Sequence, residues 1–86
     1  MKIKKEVYLR NIGGESVLIP IGKTVDEYNG IFELTPVGAV VFAAIERGEE
    51  RDGILARVLE EFDVEPAVAQ KDIDEFLAKL ASFGII

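Results

Sequence analysis

Cysteine, histidine and tryptophan are all missing from the 86-residue chain. Without cysteine there is no disulfide framework, and without cysteine or histidine there is no zinc site of the usual ligand set. The only serines are Ser16, inside a predicted strand, and Ser82, near the end of a predicted helix. With no histidine to activate either, a serine triad in its common form is excluded. An acyl-carrier role is excluded on similar grounds, because neither serine stands at a helix start. Long apolar runs are missing too: the longest, Val37–Ile45, falls far short of the roughly 20 residues that span a bilayer. The basic start, with Lys2, Lys4 and Lys5, is not followed by an apolar run of secretory type. These absences predict a cytoplasmic protein with no membrane association, no metal site and no cofactor.

What is present suits one small core. At 49% hydrophobic residues the chain is rich enough to fold, and its length predicts one domain over 1–86. A chain of this size buries only about 60–65% of its unfolded surface, so every helix must give a face to the core. Paired carboxylates (Glu49/Glu50, Glu60/Glu61, Asp74/Glu75) fall on expected solvated faces. Gly13-Gly14 precedes neither a helix nor the Lys-Ser/Thr pair of a phosphate loop. No catalytic residue is assigned, and the protein is expected not to be an enzyme.

Charge is uneven along the chain. Residues 1–35 carry five basic and five acidic side chains, whereas residues 36–86 carry five basic and eleven acidic, so the whole net charge of −6 lies in the second part.

The first part reads as strands. Val7–Ile12 and Glu15–Ile19 are short β-rich runs joined by Gly13-Gly14. Such a link suits a type I′ hairpin, in which both turn residues need positive φ. A two-residue turn pairs Ile12 with Glu15 and sets Leu9 opposite Leu18. Pro20 ends the second strand or marks an edge. A polar connection from Gly22 closes at Asn29-Gly30, and Ile31–Leu34 forms a third strand. Its alternation groups Phe32 with Leu34 on one face and Ile31 with Glu33 on the other.

The second part reads as helices. Thr35-Pro36 combines an N-cap residue with a proline at the first helical position. Val37, Val40, Val41, Ala44 and Ile45 form its apolar stripe, and Gly48 supplies a stop. Asp52 is expected to cap a second helix bearing Ile54, Leu55, Val58, Leu59 and Phe62. Pro66 opens the third, with Ala69, Ile73, Phe76, Leu77 and Leu80 on one face. The terminal Phe83-Gly84-Ile85-Ile86 is expected to fold back on the core. The fold class is therefore α+β and winged-helix-like: a three-stranded antiparallel sheet followed by three helices.

Three functions fit that architecture. A winged-helix DNA-binding or regulatory protein needs a basic footprint, but the third helix sets Lys71 and Lys79 against Asp72, Asp74 and Glu75. A structural module could pair two copies through their strand edges. The third is peptide capture: the third strand offers an edge blunted by one charge only, Glu33, to which an extended guest can add as a further strand.

The sequence resembles the PqqD-like family, named for pyrroloquinoline quinone biosynthesis protein D. The carriers are Tyr8-Leu9-Arg10 with Gly14-Glu15-Ser16-Val17-Leu18, then the run from Asn29-Gly30-Ile31 through Pro36 to Ala39. The ending, Asp72 to Leu80 followed by Phe83-Gly84-Ile85-Ile86, is similar as well. The likeness spans about 80 residues, Tyr8 to Ile86. It implies a non-catalytic peptide chaperone, a stand-alone recognition element for ribosomally made, modified peptides. Such proteins bind the leader segment of a precursor peptide and present it to a modifying enzyme, often a radical SAM enzyme. The guest is implied to lie along the third strand in a groove walled by the third helix. The implied contacts are Ile31, Phe32, Glu33 and Leu34, with Ile31 and Glu33 acting through backbone, and Val68, Asp72, Glu75 and Lys79. The oligomeric state implied is monomer or homodimer. Two departures, Ile21 where quinone-pathway members carry an acid and Leu34-Thr35 for their Leu-Asn, point to a broader branch than the quinone pathway.

Overall fold

Gly13 and Gly14 adopt φ of +60° and +85°, the left-handed pair that a two-residue hairpin requires. In the computed structural model, which describes residues 1–28 and 30–86, this turn joins β1 (Val7–Ile12) to β2 (Glu15–Pro20). The register is the expected one, with Ile12 opposite Glu15 and Leu9 opposite Leu18. β3 (Phe32–Leu34) pairs antiparallel with β2, setting Phe32 against Leu18 and Leu34 against Ser16. The sheet order is β1-β2-β3, so β3 is an edge. Asn29, expected at the close of the connection before β3, lies outside the described residues.

That connection departs from the plain polar link expected. Gly22–Glu27 forms a 3-10 helix with Thr24 buried in it. The Thr24 hydroxyl accepts a hydrogen bond from the Glu6 amide at 3.0 Å, and the Ile21 amide donates to the Glu6 carbonyl at 3.0 Å. The Lys5 ammonium bonds Glu27 at 2.6 Å, which holds the Lys5 pKa above its ordinary value. The segment is thus fastened to the residues preceding β1. β3 is also one residue shorter than the expected Ile31–Leu34, since Ile31 stands just before the paired residues.

α1 (Pro36–Glu46) starts as its sequence dictates: the Thr35 hydroxyl accepts from the Gly38 amide at 3.0 Å and Pro36 fills the first turn. α2 (Arg51–Glu61) corrects one expectation. Its N-cap is Glu50, with no side-chain cap bond, and Asp52 lies inside the first turn. There its carboxylate still faces the positive end of the helix dipole. α3 (Pro66–Ser82) has the expected bounds. Beyond it Gly84, at φ +74°, turns the chain back. The Ile85 amide then bonds the Leu80 carbonyl at 2.9 Å, and the Ile85 carbonyl accepts from the Lys4 amide at 2.6 Å.

The core lies between the three helices and one face of the sheet, with Leu18, Val41, Phe42, Ile54, Val58, Ile73 and Ile85 fully buried. Phe42 was not on the expected stripe of α1, whereas Val37 and Val40 were and are only half-buried. The reason is the surroundings of α1. It touches α2, α3 and all three strands, so its buried face is wider than a single stripe. Among the described residues no helix is long and apolar enough to cross a membrane.

Candidate functional site

Edge strands turn the N–H and C=O of alternate residues away from their one partner. β3 has β2 on one side and no strand on the other, so Phe32–Leu34 offers such a row. Beside it runs a groove of about 420 Å³. Its strand side is Ile31 to Thr35, its helix side Phe76, Lys79 and Leu80 of α3, and its depth Leu18, Phe83 and Ile85. The apolar character follows from the fold: these are the margins of core residues that α3 and the returning chain end do not fully cover.

Three aromatic rings close one end. Tyr28 and Phe32 meet edge-on with centroids 5.2 Å apart, and Phe32 and Phe83 are 4.9 Å apart and tilted. The Tyr28 hydroxyl donates to the Phe83 carbonyl, which ties the approach to β3 to the residue after α3. Ring pairs of this kind contribute about 0.5–1.5 kcal/mol beyond their burial.

At the other end the groove continues into a second stretch of about 340 Å³ lined by Thr35, Val37, Gly38, Asp72, Glu75, Phe76 and Lys79. Thr35, Phe76 and Lys79 belong to both stretches. Gly38 permits the close approach of α1 to α3 here: a Cβ at that position would stand 3.1 Å from Cε1 of Phe76.

The structure therefore gathers most of the residues singled out from the sequence. Ile31, Phe32, Glu33, Leu34 and Lys79 line the first stretch, and Asp72 and Glu75 line the second. Val68 does not join them; it is 50% exposed on α3, one turn before Asp72, and lines neither stretch. Sequence reasoning missed Phe76, Leu80 and Phe83 as groove residues, and Tyr28 as the ring packed beside them. Phe76 and Leu80 lay on the core stripe and were read as core alone. The signal available for Phe83 was its position before Gly84, which turns the chain so that the ring meets β3. Among the described residues no group of three or more acidic side chains is placed to hold a metal ion.

An open edge strand, an apolar groove against the last helix and helices stacked on one sheet face define a small α+β, winged-helix-like domain built to receive an extended segment. The comparisons agree with that class. The family model described as Coenzyme PQQ synthesis protein D (PqqD) matches residues 15–86, and the chain belongs to that family. Among solved structures, TbiB1 in complex with the TbiA(beta) leader peptide is similar over 99% of this chain and 93% of that chain, at 26% identity and a TM-score of 0.76. Comparison with curated proteins gives no match.

Proposed function

We propose that the protein binds the leader segment of a ribosomally made precursor peptide as an added strand on β3 and presents it to a peptide-modifying enzyme. The observation that carries this reading is the unpartnered edge of β3 running beside an apolar groove walled by α3. Family membership and the likeness to TbiB1, solved with a leader peptide, support it. Main-chain hydrogen bonds from Ile31 to Leu34 supply affinity, and the groove supplies selectivity. Phe32 and Leu34 point with the core face, so their contribution to the guest is to floor the groove. Asp72, Glu75 and Lys79 contact guest side chains, and Val68 meets only a guest that extends beyond the second stretch.

The protein acts by binding, without a chemical step of its own, and the enzyme it serves is first to be sought among radical SAM enzymes. Ordering a flexible guest offsets part of the contact energy, which places affinity at about micromolar to sub-micromolar. The test is to seek a candidate precursor among any short open reading frames beside this gene, label its leader, and titrate it with the protein. Saturable binding that survives removal of the core segment and disappears on scrambling the leader supports the reading. Equal binding of leader and scramble overturns it. Retention on duplex DNA at low salt would instead favour the regulatory alternative.

A further inference from the structure

The two stretches of groove follow one another along α3 with a fixed polarity. Phe32 meets Phe83, Thr35 borders both stretches together with Phe76 and Lys79, and Val37 shares the second stretch with Asp72 and Glu75. From Phe32 to Thr35 the chain passes from Phe83 to the junction at Phe76 and Lys79, so β3 and α3 run in opposite directions. The sheet is antiparallel throughout. A guest strand that continues this pattern opposes β3 and so runs in the same direction as α3. Its N-terminal part then passes Asp72 and Glu75, and its C-terminal part passes Leu80 and Phe83.

The charges along this path are unbalanced. Asp72, Glu75 and Glu33 have no salt-bridge partner among the described residues, whereas the neighbouring Asp74 is engaged by Arg51 of α2. Among the described residues Lys79 is the only cation lining either stretch, set against the carboxylates of Glu33, Asp72 and Glu75. Lys79 sits where the stretches join, leaving Asp72 as the carboxylate farthest from it along the helix.

We propose that the groove selects a guest carrying a lysine or arginine about three residues before an apolar anchor. The inference rests on the peptide-binding reading above and names the chemistry of the peptide. The apolar anchor fills the stretch beside Phe76, Leu80 and Phe83, and the cation reaches Asp72 and Glu75. The spacing follows from the helix. From the middle of the Asp72–Glu75 pair to Leu80 is six to seven residues, or about 10 Å at roughly 1.5 Å per residue. An extended guest covers that distance in about three residues at roughly 3.3 Å each.

Selection of random peptides displayed on mRNA, with the full chain as bait at low salt, tests this directly. Enriched peptides are expected to share an apolar residue with Lys or Arg about three positions N-terminal to it. Bait carrying Asp72→Lys and Glu75→Lys is expected to enrich Asp or Glu at that same position; circular dichroism checks that the variant folds. A second bait, Asp72→Asn with Glu75→Gln, is expected to lose the charge preference and keep the apolar one. In a selected peptide, replacing the basic residue by Gln is expected to weaken binding about three- to tenfold at low salt and less at high salt, as rim charges do. An apolar preference with no basic residue overturns the proposal and leaves peptide binding intact. So does a basic residue on the C-terminal side, or one indifferent to both variants. Failure to enrich any peptide overturns the peptide-binding reading itself, and this inference with it.

Discussion

Phe42 and Gly38 show how single residues fix both stability and the groove. Phe42 is fully buried where α1 meets its neighbours, so truncating it leaves a cavity the size of a ring. Phe42→Ala is expected to cost about 3–5 kcal/mol, measurable by urea unfolding, a large share of the roughly 5–15 kcal/mol typical of a domain. Gly38 acts differently. Alanine is the better helix former by up to about 1 kcal/mol, but its methyl would stand 3.1 Å from Phe76 Cε1 and 3.3 Å from Thr35 Oγ1. The half-buried Phe76 ring lines both stretches of the groove, so a ring displaced by the methyl alters the groove. Gly38→Ala is therefore expected to keep the fold, with little change in melting temperature, while weakening guest binding severalfold in a titration. Loss of the fold with no change in binding per folded molecule would show that Phe76 does not move as argued. Thr35 caps α1 with one bond to the Gly38 amide, and Thr35→Ala is expected to lose about 1 kcal/mol on the same unfolding assay.

Among the elements, those set by local chemistry were legible before any coordinates. The hairpin register followed from Gly13-Gly14, the start of α1 from Thr35-Pro36, and the start of α3 from Pro66, because turns and caps are decided within a few residues. What escaped depended on partners distant in sequence. The 3-10 helix is held by Thr24 reaching Glu6, and nothing in Gly22–Glu27 announces that contact. Asp52 was expected as a cap because its residue type suits one, yet the cap falls two residues earlier, at Glu50, and the helix begins at Arg51. In the site, the edge strand could be read from the short and little-charged third strand, whereas the charged flank of α3 was implied by the family resemblance. The aromatic end formed by Tyr28, Phe32 and Phe83 could not, since it brings together three separate segments. A prediction belongs to β3 itself. If the guest pairs with this strand through its backbone, methylating the guest amides that face β3 is expected to abolish binding. Methylating the intervening amides, which face away, is expected to leave it nearly unchanged. Equal sensitivity of both sets in a binding titration would argue for side-chain docking in place of strand addition.

At the scale of the whole molecule, missing reactive side chains and asymmetric charge acquire a common meaning. The working surface is backbone at an edge strand, backed by apolar margins of the core, and it needs neither histidine nor cysteine. The excess of acid in residues 36–86 includes Asp72 and Glu75, which face the groove. The same excess opposes phosphate backbones, so the protein is expected to pass unretained through a duplex-DNA column at low salt. The Lys4 amide bonds the Ile85 carbonyl, which anchors the returning segment whose Phe83 and Ile85 line the groove. The central claim is that an extended leader lies along β3 and α3. The most direct measurement is amide chemical-shift mapping by NMR on adding a leader peptide that the protein binds. The account predicts that shifts concentrate in residues 31–34 and along the groove face of α3 from Asp72 to Phe83. Shifts confined to α2, with residues 31–34 unmoved, would contradict it.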